Sequence, residues 1–417
     1  MQLIVIFLIS LFIFLSGDLK AQIRAKGLFV PSDSTKGDKD SLEMAVYEYP
    51  NWQAVDIDFL SSYYEQDGNN SPVTGGIGTE RLTDFTQKII MAVPITPRTT
   101  LNVDGGYDYY TSASSDNIDP AYSDDSGYDT RTHGNIGISR KLDPQQTFGF
   151  RVGGSVEYDY WSLQGGINYS KLSKSENTAF NLQAQTFIDQ WLLIYPVELR
   201  RQGQLVPTSA RQSHNVAMGL TQVLDKKTQA SINLEATFMN GLLSTPFHRV
   251  YFQEQTLPKV EQLPGTRLKI PVGVRLNRYL TDWLVARMYY RFYWDDWGMT
   301  AHTASLEMPI KLNRFLSVAP FYRYHTQTAV DYYQPYKVHT LNAQFYPSDT
   351  DLSAMQTHSF GLGVSYQPAG GVFKMGLPGK KDKHLHMKGM DLKLAHYERN
   401  NGFRANIISF GMGFSIY

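Results

Sequence analysis

Three stretches of this sequence bring together residue types that bind ions or do chemistry. Residues 111–129, TSASSDNIDPAYSDDSGYD, carry Asp116, Asp119, Asp124, Asp125 and Asp129. Carboxylates crowded into one loop are the ligands that a hard divalent cation such as calcium takes, although a run of acids also makes a simple solvated loop. Residues 380–390, KKDKHLHMKGM, offer His384, His386 and Met387, a donor set for a soft or borderline metal such as copper. The interleaved Lys380, Lys381, Lys383 and Lys388 argue instead for a basic turn able to dock an acidic partner. Residues 63–85, YYEQDGNNSPVTGGIGTERLTDF, set Asp67 and Glu80 among Gly68, Gly75, Gly76 and Gly78. GGIG is not a phosphate loop, because no lysine follows and no strand–loop–helix unit surrounds it. DGNN lacks the alternating carboxylates of a calcium loop. Glycines in this density fit a folded loop whose backbone needs positive φ.

Nucleophilic catalysis finds less support. Ser and Asp are abundant, and His214, His302, His325 and His358 lie near expected strand ends, but no G-x-S-x-G occurs and nothing links a nucleophile to a base. The expectation is a protein without enzymatic activity and without a cofactor, apart from a calcium ion in the acidic loop.

The elements that position these residues are strands. In LKIPVGVRLN, Ile270, Val272, Val274 and Leu276 alternate with polar or small residues, and in WLVARMYYRFYW, Leu284, Ala286, Met288, Tyr290, Phe292 and Trp294 do the same. ASLEMPIKL repeats the pattern with Ala304, Leu306, Met308, Ile310 and Leu312. Period-two alternation gives each strand one apolar and one polar face, and no stretch sustains a helical period. About sixteen such segments follow one another, joined alternately by short turns and long loops, which describes a closed antiparallel transmembrane β-barrel of outer-membrane type. A soluble sandwich would have shorter strands and would need a mate for every apolar face. In lipid the sheet must close on itself, since no water satisfies an open edge. One long connection, residues 367–387, falls on the short-turn side.

Bulk composition agrees. The chain has 417 residues, Lys+Arg 39 against Asp+Glu 39, 27 Tyr and no Cys. The charge balance gives no case for a nucleic-acid partner, and the missing thiols exclude disulfides. Residues 1–21 read as a cleaved signal peptide built on the apolar run Leu3 to Leu15, too short to span a bilayer as a helix. Residues 22–52 read as a periplasmic tail or plug, and 53–417 as the barrel. The terminal strand NIISFGMGFSIY, with its aromatic alternation, resembles the signal that barrel-assembly machinery reads, offset by the extra Tyr417.

With the apolar face turned to membrane lipid, the opposite face lines a lumen. Early strands then contribute Asp56, Asp58, Asp104, Asp108, Glu157 and Asp159, and later strands Arg275, Arg287, Arg291, Lys311 and Arg323. Acid facing base across a pore makes a transverse field that orients polar solutes. The alternative is that these charges pair locally. The function expected is a channel or the membrane component of an envelope transport or export system, or else a plugged barrel that scaffolds periplasmic partners.

The stretches VDIDFLSSYYEQDGNNSPVTGGIGTERLTDF (55–85) and DGGYDYYTSASSDNIDP (104–120) resemble a family of unknown function, exported proteins of gram-negative bacteria expected to form outer-membrane barrels. The resemblance covers nearly the whole mature chain. It implies a genomic neighbourhood of thioredoxin-like proteins, a flavin transferase and a small lipoprotein, hence periplasmic thioredoxin-like or lipoprotein partners in redox or metal handling. It carries over no catalytic residue.

Overall fold

Alternating side chains make the strands, and the hydrogen-bonding demand of the backbone closes them. The computed structural model describes residues 54–111, 128–200, 206–379 and 383–417. Its staves are β1 (Val55–Asp67), β2 (Leu82–Thr96), β3 (Thr99–Thr111), β4 (Tyr128–Lys141), β5 (Gln146–Val156), β6 (Tyr160–Leu172), β7 (Thr178–Leu192), β8 (Thr208–Asp225) and β9 (Thr228–Gly241). A two-strand loop hairpin follows, β10 (Arg249–Val250) with β11 (Lys259–Val260). The wall continues with β12 (Thr266–Tyr279), β13 (Val285–Asp295), β14 (Thr300–Glu307) and its continuation β15 (Ile310–Lys311), β16 (Leu316–Gln327) and β17 (Met355–Tyr366). The short strand β18 (Phe373–Gly376) precedes the last two staves, β19 (His384–Arg399) and β20 (Arg404–Ile416). Counting β14 with β15 as one stave and β18 as a side strand, sixteen staves form the wall.

Closure is direct. β1 pairs antiparallel with β2 on one side and with β20 on the other, from Val55↔Ile416 to Asp67↔Arg404. No edge is left among the staves, as a wall immersed in lipid requires. One face of the wall carries bare apolar side chains in continuous rows: Leu101, Ile138, Phe150 and Ile167 lie side by side on β3 to β6. Ile138 is 50% exposed and Phe150 52%, values that make sense only against lipid. On β20, Ile408, Phe410, Met412, Phe414 and Ile416 continue this face, while Gly411 and Gly413 face Leu60 and Asp58 on the inner one.

Several details differ from the alternation pattern. β8 begins at Thr208, six residues before the expected His214, because residues beyond the apolar band alternate without greasy partners and give no hydrophobic signal. The run Ala304 to Leu312 is broken at Met308–Pro309, where proline has no N–H for the ladder. Its carbonyl is still used, accepting from Val285 N. The connections at one barrel end are all short except 367–383, which folds back as β18 onto β19. At the other end they are not uniformly long: β5–β6, β13–β14 and β19–β20 are joined by three or four residues. Tyr417 prolongs the last ladder through paired backbone bonds with His384.

The barrel has almost no dry interior of its own. The buried apolar clusters sit instead at the long-loop end. Trp297, Met299, Val330 and Leu352 form one, and Val250, Phe252 and Tyr346 the other.

Candidate functional site: the lumen and the cap across its mouth

A lumen-facing residue is one whose ladder partners carry the polar face, so register assigns the whole inner wall. On β3 to β9 this wall is built of amides. Asn135 Nδ2 donates to Asp104 Oδ1 at 2.9 Å, and Lys88 Nζ closes on the same oxygen at 2.9 Å. Gln164 Nε2 donates to Asn135 Oδ1, Gln185 Nε2 to Gln164 Oε1 at 2.6 Å, and Gln183 Nε2 to Gln185 Oε1 at 3.0 Å. Asn215, opposite Gln185 in the β7–β8 ladder, donates to Glu235 Oε1 at 2.7 Å, and Glu235 lies 4.0 Å from Arg291. A polar belt therefore runs from β2 round to β13.

Glycine makes the belt possible. Gly153 sits between Asn135 and Gln164 in the ladders, and a Cβ there would collide with the Asn135 amide. Below it, Gly137, Gly166 and Gly219 open a recess of about 700 Å³ bordered by Asn102, Arg151, Asn168, Gln183, Asn233 and Glu235. A second recess of about 530 Å³ lies by Lys88, Arg131, His133, Asp189 and Arg211. Each amide offers a donor and an acceptor, so these surfaces can bind solutes of either polarity.

The expected charged residues that fall on strands stand on the polar side of the ladders, but many are paired. Asp56 bonds Lys388 at 2.9 Å, Asp104 bonds Lys88, and Asp108 lies 3.8 Å from His133. Asp58 has no ion-pair partner among the described residues. Glu157 and Asp159 fall in the β5–β6 turn at the rim, where Glu157 accepts from Tyr110 Oη at 2.8 Å and meets Arg131 at 3.4 Å. Burial pushes the Asp159 carboxyl up to about 6. On the facing wall Arg287 bonds Glu307 at 2.7 Å, Arg275 lies over the Tyr289 ring and Lys311 over Tyr279. Arg323 has no ion-pair partner among the described residues. Local pairing thus takes up most of these charges, with Asp58 and Arg323 left without an ion partner among the described residues.

The glycine-rich loop does what its composition requires: Gly75, Gly76 and Gly78 have φ of 91°, 90° and 84°. Gly68 lies against Glu80, whose backbone N–H donates to the Gly68 carbonyl, and burial raises the Glu80 carboxyl above its ordinary value. Asp67 forms an exposed pair with Arg81. Asp116, Asp119, Asp124 and Asp125 lie outside the described residues. His384 and His386 gather no third His, Asp or Glu ligand among the described residues; His386 Nε2 bonds the Gly370 carbonyl at 3.0 Å and its ring meets Tyr417.

Sequence reasoning missed the cap. Sixteen staves put β1–β2 diametrically opposite β9–β12, yet the loops leaving these pairs touch. Arg249 Nη1 donates to the Val73 carbonyl at 2.7 Å across the mouth. The β16–β17 loop joins them from the side, where Ser348 Oγ donates to the Pro72 carbonyl at 3.2 Å. Arg249 also forks onto Glu198 at 2.6 and 3.0 Å, tying in the β7–β8 loop. Beneath, Glu261 accepts from the backbone of Thr245 and Ser348 and lies 3.4 Å from His248 Nδ1. The Ser348 hydroxyl is turned to Pro72, so this buried Ser–His–Glu group is a structural knot rather than a nucleophile–base pair. Trp297 packs with Tyr293 of the inner wall, and Asp295, fully buried, accepts from Arg267, Tyr293 and the backbone of Trp297 and Met299. The amide belt was legible in principle, since Asn181, Gln183 and Gln185 alternate on the inner face; no local signal announces loops that meet only across a pore.

Comparison with solved structures returns outer-membrane proteins at low similarity. A ferric enterobactin receptor (PfeA) mutant of Pseudomonas aeruginosa matches with TM-score 0.43 and 11% identity, over 82% of this chain and 53% of the receptor. A bacterial polysaccharide outer membrane secretin matches with TM-score 0.46 and 9% identity, over 87% of this chain and 98% of the secretin. OccK1 (OpdK) of Pseudomonas aeruginosa matches with TM-score 0.40 and 7% identity, over 87% and 98%. The chain thus spans about half the length of the enterobactin receptor, and likenesses at this level carry no functional argument. No curated protein matches the sequence. The model of a family described as "Protein of unknown function (DUF3570)" matches residues 32–378, the greater part of the sequence, and the chain belongs to that family.

Proposed function

We propose that the chain is an outer-membrane channel for polar solutes, or the membrane component of an envelope transport or export system, with its mouth narrowed by the folded loops. The carrying observation is the amide belt from Asp104 through Asn135, Gln164 and Gln185 to Asn215 and Glu235. A closed plug would favour a dry or fully paired interior. Here alternating donors and acceptors line recesses, in a barrel of a size that leaves an aqueous path. Facing walls of unequal charge add a preference for polar over apolar solutes.

The cap supports a second assignment, a shut barrel that scaffolds periplasmic thioredoxin-like or lipoprotein partners, because Arg249 and Val73 bridge the mouth. Planar-bilayer conductance of the purified protein, intact and without the first roughly 30 mature residues, separates the two; that length corresponds to about 100 Å of extended chain, ample to reach through the lumen. Conductance in either form supports the channel. Its absence in both sinks it.

A further inference from the structure

Four histidines face away from the lumen, and each stands at the same place in its strand. On β8 the outward series is Leu220, Met218, Val216, then His214; on β14 it is Leu306, Ala304, then His302. On β17 it is Leu362, Phe360, then His358, and on β19 Leu392, Leu394, then His396. Each is the first polar side chain past the apolar band at the long-loop end. From Tyr366 at the opposite border to His358 is eight residue steps, about 26 Å of strand and about 20 Å along the axis of a tilted barrel, close to the usual apolar height.

Three of them share one geometry. His302 Nδ1 meets Tyr290 Oη at 2.7 Å, His358 Nδ1 meets Tyr322 Oη at 2.7 Å, and His396 Nδ1 meets Asn406 Oδ1 at 2.8 Å. Their rings lie 5.3 Å from Phe292, Tyr324 and Phe360 respectively. His214 Nδ1 is held likewise, by Thr186 Oγ1 at 3.1 Å. In each ring Nδ1 is occupied and the plane is fixed, while Nε2 has no protein partner among the described residues. Aromatic borders alone are ordinary in membrane barrels; imidazoles locked by one nitrogen, with the other presented to the membrane surface, are not explained by packing.

We propose that these histidines form a binding girdle for the phosphate groups of acidic lipids in the leaflet at the long-loop end, strengthening as the imidazoles gain charge. Lipid is the occupant because the apolar band ends at these rings, which is where headgroups begin. Neighbouring outward groups are few. β13 and β16 present Tyr290, Phe292, Tyr322, Tyr324 and Thr326, β7 and β9 present Thr186 and Phe238, and β20 presents Asn406. The charged ones are Glu398, opposite His358, Arg404, opposite Glu398, and on β1 Glu65, opposite Asn406, and Asp67, opposite Arg404 and paired with Arg81. These acids and bases nearly balance, and the histidine variants separate the share of the imidazoles in the pH dependence from theirs.

The test is lipid selectivity at the barrel surface. The whole protein is placed in phosphatidylcholine vesicles with trace spin-labelled phosphatidylglycerol or spin-labelled phosphatidylcholine. The immobilised fraction of each is read at about pH 5 and about pH 8. Preference for phosphatidylglycerol is expected to rise at the acid pH by about fivefold for each histidine engaged, the effect of one interfacial cation. It is expected to lose most of that rise in His302→Gln/His358→Gln/His396→Gln, which keeps only His214, and to lose part of it in His358→Gln alone, which guards against misfolding of the triple variant. A preference independent of pH in the native protein, or an undiminished rise in both variants, overturns the proposal.

Discussion

Arg249 is where the cap is most exposed to test. It is nearly buried, bonds Glu198 through two nitrogens and reaches the Val73 carbonyl from the far side of the barrel. Truncation by Arg249→Ala leaves Glu198 facing an empty guanidinium site and removes the bond to Val73 across the mouth. Breaking a fully buried ion pair costs about 3–5 kcal/mol. Glu198 keeps 27% of its side chain in solvent, so the value is discounted to about 2–3 kcal/mol. That shifts the balance between closed and open cap by about 30- to 150-fold. The barrel ladder does not pass through Arg249, so heat-modifiable migration in detergent should be unchanged. Single-channel conductance should rise or show longer open dwells, and proteolysis should cut sooner within residues 241–266. If conductance and cleavage both match the native protein, the loops do not close the mouth through this contact, and the cap as described is wrong.

Other outcomes follow from the same structure. Replacing Gly153 by Leu drives a Cβ against both the Asn135 amide and the Gly134 carbonyl of β4, so it should cut solute flux and lower barrel stability together; equal flux in the folded variant would remove the belt from the pathway. Arg287→Glu with Arg291→Glu should move ion selectivity toward cations, measured by reversal potential, and an unchanged preference would dismiss a field across the lumen. Burial and the neighbouring Asp351 charge push Asp349 in the cap up to about 6, above its unfolded value. Its contribution to cap stability is therefore complete below about pH 4 and lost as pH rises through about 6. Loop protection from protease should weaken over that window in the native protein and stay flat in Asp349→Asn, which keeps the acceptor for Asp351 N. Phe150→Arg on the lipid face should cost about 2–4 kcal/mol in folding into vesicles, read by denaturant titration; no loss would mean that this face does not meet acyl chains.

Alternation determined the wall. Val272, Val274 and Leu276 on β12, or Met288, Tyr290 and Phe292 on β13, announce a face for lipid because a strand reverses its side chains at each residue. Closure followed from the same residues, since a greasy sheet with free edges cannot rest in a bilayer. The inward charges and the positive-φ glycines at 75, 76 and 78 were legible for the same local reasons.

What lay beyond the sequence is everything that depends on staves far apart in the chain meeting in space. Nothing near Arg249 announces Val73, 176 residues away, because that contact is set by loops leaning over a cylinder whose diameter comes from stave number. Side-chain pairing on the inner wall was open for a related reason. Whether Asp104 takes Lys88, or Arg291 finds Glu235, depends on the ladder offset between strands, and a polar face tolerates several offsets where an apolar face in lipid tolerates one. Period two, a property of single residues in sequence, told which side each residue faces; the shear of the closed sheet decided which residues stand at one height, and so where the belt, the histidine border and the cap come to lie.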